Sequence, residues 1–341
     1  MIANAAQLET FLTPYADSGR EEAYAVFLEE QLRQTGLCCD VTRDRMNNVI
    51  AQIGTGEKPY ILLDAHFDEI SFLVRRIDSS GFLQVSGVGG VDRRCLPAAK
   101  VSVNGLDGVF CSVPPHLMLN QDRRFPEVSE MYVDLGLDYE TVCARVQIGD
   151  RVRLKSRFYP LLGNRLSGRA LDNKLSVYAL FVALKKLADS ESFESLAWNI
   201  AVLFSAQEET GLRGAGPGVF SICPERALCV DATFADQPGV KDCPPLGSGV
   251  VIERSAFFDR NFTRSLMDLA EEHQLPHTVH VQAGASGTNA DILPFFCGGI
   301  PTALLSIPIR NMHTPVEVCD LADVEATADL ICAYLKEGPQ G

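Results

Sequence analysis

The sequence predicts an α/β protein: a largely parallel or mixed sheet layered with helices, interrupted by a small all-β insert. Short apolar runs alternate with helical segments at the start of the chain and again from Asp172 onward. Between Ile70 and Leu162 the texture changes to short alternating segments separated by Gly, Pro and Asp. The polar residues of interest also cluster where the apolar runs end, at strand ends facing a cleft in an open α/β sheet.

Ser18-Gly-Arg-Glu21 has the form of a capping box, and the amphipathic run from it to Gly36 is the first expected helix. Leu37–Thr42 and Asn48–Ile53 read as strands, and Tyr60–Ala65 as a buried strand that delivers His66-Phe-Asp68-Glu69. In the insert, Phe82–Val85, Ala99–Val103, Gly108–Val113 and Asp150–Lys155 are strand candidates without a long helix among them. Leu175–Ala188 then reads as a helix, Leu196–Ala206 as a strand, Gly214–Ile222 as a short helix or loop, and Arg226–Thr233 as a strand. Arg260–Gln274 is an expected helix, His277–Gln282 a strand, Asp291–Cys297 a short helix, and Pro301–Ile307 a strand. Asp320 caps a closing helix to Lys336, and Gly338–Gly341 is expected to fray.

Composition narrows the function classes. The 341 residues are 46% hydrophobic and 22% charged, enough for a large core in one or two domains. A net charge of −14 argues against nucleic acid or an anionic membrane as partner. Eleven cysteines without a C-x-x-C pair are no disulfide framework and point to a reducing compartment. Cys38 and Cys39 are adjacent, and Cys229, Cys297 and Cys332 read as small buried hydrophobes. With neither a signal-like N-terminus nor an apolar run of membrane-spanning length, the expected location is the cytoplasm.

The chemistry centres on Glu208 and Glu209, which follow the apolar run Ile200–Gln207. Uncompensated carboxylates are costly at the end of a core strand, so the pair asks for cations or for acid–base work. His66 and Asp68, Asp172 at a helix start, Asp231 near a strand end and His313 after another could meet them along one sheet edge. Two histidines and three carboxylates form a ligand set for two divalent metals, with one carboxylate able to bridge. An adjacent glutamate outside the ligand set can act as general base. Asp68 can accept the free N–H of His66 and fix its tautomer, and Asp172 can accept backbone N–H bonds at the helix start.

The chain resembles the glutamyl/deblocking (TET-type) dinuclear metallo-aminopeptidases, a family with members labelled cellulase or endoglucanase. The matching segments are Asp64-Ala-His-Phe-Asp-Glu-Ile70, Gly168-Arg-Ala-Leu-Asp-Asn173, Gln207-Glu-Glu-Thr-Gly-Leu-Arg-Gly-Ala215, Cys229-Val-Asp-Ala-Thr233 and Ile309-Arg-Asn-Met-His-Thr-Pro-Val-Glu317. Ser18–Glu21 and Gly149-Asp150 match as well, so the likeness spans nearly the whole chain in order. The resemblance implies that His66 and Asp231 hold one metal, Glu209 and His313 the other, and Asp172 bridges. It makes Glu208 the general base and Asp68 the residue that orients His66. The implied activity is removal of N-terminal residues from peptides through a metal-bridged hydroxide, with Zn²⁺ or Co²⁺ favoured and Mn²⁺ open. The implied fold is a three-layer α/β/α zinc-peptidase-like sandwich formed by residues 1–69 and 163–341, with 70–162 as a β-barrel or PDZ-like dimerisation domain. Dimers of this family often assemble into dodecamers. The chain departs from the family pattern at Lys174 (usually Arg), Asn289 (usually Asp), Asn311 (usually aromatic) and Thr314 (usually Ser).

Two other classes stay open. Paired carboxylates also equip glycoside hydrolases, although that mechanism needs neither the histidines nor a bridging aspartate. A catalytically inactive metal- or peptide-binding paralogue is the third reading. Several residues read as bland. His277 and His280 fall on opposite faces of a strand, His116 lies in a turn, and His273 sits at a helix end. Gly284–Gly287 lacks the lysine of a phosphate loop, and Ser205 and Ser286 lack a nucleophile elbow.

Overall fold

The computed structural model describes residues 3–37, 40–54, 58–117, 125–190 and 196–338. Two helices, α1 (Ala5–Leu12) and α2 (Glu22–Gln34), lead into β1 (Asp40–Arg43), β2 (Val49–Ile53) and β3 (Tyr60–His66). The next stretch holds β4 (Ser71–Ile77), β5 (Leu83–Val88), β6 (Lys100–Val103), β7 (Leu106–Phe110), β8 (Tyr132–Asp134), α3 (Tyr139–Arg145) and β9 (Arg151–Leu154). Then come β10 (Tyr159–Pro160), β11 (Arg165–Gly168), α4 (Leu171–Ala188), β12 (Asn199–Ser205), α5 (Ala215–Phe220), β13 (Arg226–Phe234) and β14 (Val250–Arg254). The chain closes with α6 (Arg260–Glu272), β15 (His277–Val281), β16 (Thr302–Ile309), β17 (Glu317–Asp320) and α7 (Leu321–Glu337).

Eight strands form one sheet in the order β1-β2-β12-β3-β13-β16-β14-β15. Its centre is parallel: β12, β3, β13 and β16 run together, while β2 and β14 run antiparallel to their central neighbours. Alternate residues serve opposite faces, as the two-residue strand period requires. Ile61, Leu63, Ile200 and Val202 join the core packed by α2, α4, α6 and α7, whereas Leu62, Ala201 and Leu203 join a smaller core under α5. The sandwich is therefore thick on one side and thin on the other. Strands β4-β5-β8-β7-β6-β9 close into a barrel with its own core around Phe72, Phe110 and Val133, which decides for a barrel over a PDZ-like unit. A small third sheet, β10-β11-β17, joins two strands just ahead of α4 to one just ahead of α7.

Some local expectations give way to tertiary contacts. Ser18 does not cap α2: Glu21 occupies the N-cap position without a side-chain cap bond. The Ser18 hydroxyl meets Thr210 Oγ1 at 2.9 Å, and its N–H donates to Glu69 O. The segment Asp291–Cys297 forms two short 3₁₀ turns, Asn289–Asp291 and Leu293–Phe295, rather than one helix. Cys297 is exposed, not buried, because it lies past the second turn at the surface, with its Sγ 2.6 Å from that of Cys223. Cys229 and Cys332 are buried as expected. Cys38, Cys39 and the final Pro339–Gly341 lie outside the described residues. Among the described residues, no helix is long and apolar enough to cross a membrane.

Lys174, where the family pattern has Arg, is fully buried and anchors the N-terminal segment. Its Nζ donates to Pro14 O at 2.7 Å and Glu69 Oε1 at 2.8 Å and sits 4.4 Å from the Tyr24 ring centre. Glu69 also pairs with Arg169, whose guanidinium donates to Leu12 O and Thr13 O and stacks over Tyr15. Burial pushes the Glu69 carboxyl up, but the two cations outweigh it and hold the group at about 2, from an ordinary 4.5. Burial lowers Lys174 to about 8 because it loses its hydration entirely and is repelled by Arg169, so the pairing favours the carboxylate more than the ammonium. A depressed carboxyl contributes stability that is complete above its unfolded value and disappears as pH falls towards its folded value. Glu69→Gln should therefore lower stability at neutral pH by about 3 kcal/mol and flatten its dependence between about pH 5 and about pH 2. Urea unfolding midpoints across that range check this; parallel curves for the two proteins would refute it.

Candidate active site

Six of the expected site residues come from five places in the sequence and meet at the C-terminal ends of the central parallel strands. His66 ends β3 and lies in register with Ser205 of β12, after which the chain reaches Glu208 and Glu209. Asp231 lies on β13, next to β3 in the sheet, and His313 follows β16 on the other side of β13. Asp172 lies where α4 begins, and its backbone and that of Asn173 are non-helical, so the regular helix starts at Lys174. Gln207, Ala170 and His313 all adopt left-handed backbone conformations, with φ of 57°, 53° and 62°. Each costs about 1–2 kcal/mol for a residue with a side chain, and such strain persists where surrounding contacts over-determine the backbone.

Asp172 sits between the histidines. Its Oδ1 is 3.3 Å from His66 Nε2 and its Oδ2 3.3 Å from His313 Nε2. Around His66 Nε2 lie Asp231 Oδ1 at 3.6 Å and Glu208 Oε2 at 3.7 Å, and Glu209 Oε1 is 3.7 Å from His313 Nε2. Two groups result, His66–Glu208–Asp231 and Asp172–Glu209–His313, each with potential ligand atoms within 4.8 Å of one another. Asp172 does not use its carboxylate to cap α4, since both oxygens face histidines.

Such a cluster is electrostatically unbalanced by itself. Burial pushes the Glu208 carboxyl up to about 9, with repulsion from Asp231 and Glu209 adding to it and His66 opposing. Burial likewise takes Glu209 up to about 8, reinforced by Asp172. The hydrogen bond to the Asp172 carboxylate raises His313 to about 10. Burial would lower His66, but the Glu208 and Asp231 charges outweigh it and raise it well above its ordinary value. Four carboxylates crowded around two imidazoles in a buried site fit divalent cations, which would relieve the repulsion and use the N and O donors together. Carboxylate and imidazole donors suit Zn²⁺, Co²⁺ or Mn²⁺ better than a soft, thiolate-preferring ion.

The surrounding polar groups fix these side chains. Asp68 accepts the backbone N–H groups of Glu208 at 2.9 Å and Glu209 at 3.2 Å, so it holds the acidic pair in place. Its Oδ1 lies 3.5 Å from His66 Nδ1, longer than a hydrogen bond, and that nitrogen has no other partner among the described residues. Asn289 is buried beneath the site, donating to Asp64 Oδ2 at 3.1 Å and Ser205 Oγ at 2.8 Å. The amide can donate to Asp64, whereas an ionised aspartate at this position would face it with a like charge. Asn311 is exposed, and its φ of 56° suits a residue that tolerates the left-handed region. Thr314 closes the same loop by donating to Asn311 O at 2.7 Å.

Two contributors escape the sequence reading. Glu317 is buried and accepts the N–H groups of His313 at 2.9 Å, Leu171 at 2.6 Å and Asp172 at 3.3 Å, tying two loops of the site together. Its place four residues after His313, inside a matched segment, was the available signal. Gly90 of the β5–β6 connection accepts from His313 Nδ1 at 2.5 Å, and a Cβ there would meet the imidazole at 3.0 Å. No local pattern in the sequence marks that contact. The gathered residues open onto a cleft of about 570 Å³. A larger recess of about 1070 Å³ runs along the barrel past Lys100, Asp107 and Tyr159, and none of the gathered residues lines it.

The family model for M42 glutamyl aminopeptidase matches residues 47–330. A lysyl aminopeptidase from Pyrococcus furiosus is 32% identical over 308 residues, covering 87% of each chain. The Pyrococcus horikoshii TET1 peptidase structure, 31% identical, superposes with a TM-score of 0.85 over 97% of this chain and 99% of that one. An aminopeptidase from the archaeon Desulfurococcus kamchatkensis, 27% identical, superposes with a TM-score of 0.90 over 98% of this chain and 95% of its own. Strand order, barrel, gathered site and these likenesses agree that the chain is a hydrolase and belongs to the M42 glutamyl aminopeptidase family.

Proposed function

We propose that this protein is a dinuclear metal-dependent aminopeptidase that removes N-terminal residues from peptides. The observation that carries the reading is Asp172, with one carboxylate oxygen facing each histidine. His66 and Asp231 would hold one ion, Glu209 and His313 the other, and Asp172 would bridge, with Zn²⁺ or Co²⁺ the favoured occupants. When bound, the ions supply Lewis-acid polarisation of the scissile carbonyl and lower the pKa of water. Glu208 takes the proton from the attacking water and returns it to the leaving amine. Asp68 holds Glu208 through its backbone N–H, and Glu317 and Gly90 keep His313 aimed at the cluster.

Residues 1–69 and 163–341 would form the catalytic domain, and 70–162 a dimerisation domain that also lends Gly90 to the site. The Pyrococcus horikoshii TET1 peptidase can assemble into a tetrahedron or a large octahedral shell. By analogy, this chain would form a homodimer that builds into a larger homo-oligomer, with a dodecamer as the expected assembly. A cytoplasmic setting follows from the cysteine usage, and the net charge of −14 disfavours nucleic-acid and membrane partners.

The test pairs aminoacyl chromogenic substrates with cello-oligosaccharides, on metal-loaded protein with and without chelator. Aminoacyl hydrolysis that is lost with chelator and restored by Zn²⁺ or Co²⁺ is expected. Chelator-insensitive sugar release would favour the glycosidase reading. Two bound ions without turnover on any peptide would favour an inactive paralogue.

A further inference from the structure

Two sulfurs on the thin side of the sandwich take no part in the proposed reaction. Cys223 lies just past α5, and Cys297 just past the 3₁₀ turn Leu293–Phe295. Both are free and exposed, and their Sγ atoms are 2.6 Å apart. Nothing else approaches either sulfur so closely: Cys223 Sγ is 3.7 Å from Phe220 O, and Cys297 Sγ is 3.9 Å from Val219 O. Among the described residues no other two cysteines bring their sulfurs together, and Cys229, Cys319 and Cys332 are buried.

Packing sets the two thiols face to face. The ring of Phe296 lies over Gly216 of α5, where a Cβ would clash with it, so Cys297 follows a side chain fixed on the helix. Cys223 N–H donates to Val219 O at 3.0 Å and closes the last turn of α5. Ala215 and Val219 share a core with Leu293 beneath the sheet. Both segments lead back to the site. The loop holding Glu208 and Glu209 runs into α5, and Asn289, which donates to Asp64 and Ser205, lies in the turn just ahead of Leu293. Thiols held together in this way react as an intramolecular pair, at an effective concentration far above that of a free thiol.

We propose that Cys223 and Cys297 form a redox-modification site, at which a low-molecular-weight disulfide of the glutathione class converts the two thiols reversibly into an intrachain disulfide that staples α5 to the Leu293–Phe295 turn. The inference stands apart from the aminopeptidase reading. Cys223, as thiolate, attacks one sulfur of the small disulfide; a mixed disulfide forms and one small thiol leaves. Cys297, as thiolate, then attacks Cys223 Sγ and expels the second small thiol. One S–S bond is broken and one formed, two electrons pass to the reagent, and the two cysteine protons end on its thiols. Cys297 is the second attacker because desolvation and its contact with Cys223 push its thiol up to about 11. Capping Cys223 removes that contact. The new bond joins residues 74 apart in sequence, which restricts the unfolded chain and so favours the folded one. Neither sulfur lines the cleft, so the staple acts on stability. Excess small thiol reopens it, as suits a transient disulfide in a reducing compartment.

The test treats full-length protein, wild type, Cys223→Ser and Cys297→Ser, with glutathione disulfide and then with dithiothreitol. Wild type is expected to lose the mass of two hydrogens and to yield, on proteolysis without reductant, a peptide pair linked through Cys223 and Cys297. Its Tm should rise by about 5 °C. Dithiothreitol should reverse all three changes, and neither variant should show them. A glutathione adduct that never closes, a cross-link only between other cysteines, or an unchanged Tm in the linked protein would overturn the inference. Should a serine variant fail to fold, alkylation of reduced wild type with iodoacetamide before oxidation serves as the control, and a Tm rise that survives alkylation would overturn it equally. These readouts are mass and Tm, so their failure leaves the aminopeptidase reading standing, and loss of that reading leaves this inference standing.

Discussion

Glu208→Gln is expected to retain two metal equivalents per chain yet turn over aminoacyl substrates roughly 10²–10⁴-fold more slowly, the range for loss of a general base. The amide keeps the size of the side chain and the backbone bond to Asp68, so the backbone should stay in place. The variant also separates two roles that the geometry leaves adjacent. Glu208 Oε2 is 3.7 Å from His66 Nε2, about as near as Asp231, so it could serve as a ligand in that group. Elemental analysis alongside kinetics decides: metal loss would make Glu208 a ligand, and metal retention with near-normal turnover would end its assignment as base. The assignment to catalysis rests on adjacency. Glu209 lies in the His313 group, which leaves Glu208 beside the other histidine, where it lines the cleft.

The second large effect is expected at Asp172. Asp172→Asn replaces two equivalent anionic oxygens by one neutral carbonyl oxygen and an NH₂ group that cannot ligate a cation. One histidine would then face a donor where an acceptor stood. Bound metal should fall to one ion or fewer per chain, and turnover should fall by about 10³-fold or more, as expected when a component of an interdependent catalytic unit is removed. Circular dichroism should change little, because Asp172 precedes the regular part of α4 and its backbone N–H is held by Glu317. Full metal content in the variant would rule out a bridging role.

Strong periodic segments were legible without coordinates. Tyr60–Ala65, Leu196–Ala206 and Arg226–Thr233 correspond closely to β3, β12 and β13, because fully buried parallel strands read as unbroken apolar runs. The closing helix also begins where Asp320 predicts it, with the carboxylate accepting from Ala322 N–H at 3.0 Å. Weaker segments did not read through. β17 is four residues long and pairs with β11, far away in sequence, so no local period announces it. β4 and β14 sit in a loop-rich texture, and the sequence reading includes neither. The form of a capping box at Ser18–Glu21 misleads because the Ser18 hydroxyl finds Thr210, a partner 192 residues away, instead of the helix start.

The sequence by itself determined the donor chemistry: which imidazoles and carboxylates exist, their order, and their placement after apolar strands. That follows from the cost of burying charge, which makes unexplained carboxylates at strand ends informative from composition and spacing alone. Only the tertiary structure decided which of those groups meet and what steadies them. Asp172 lies between two histidines, Glu317 spans two loops, and the Gly90 carbonyl rests on His313, each a contact between residues remote in sequence or across a turn that such contacts direct. Packing selects those pairings from many that the sequence would allow.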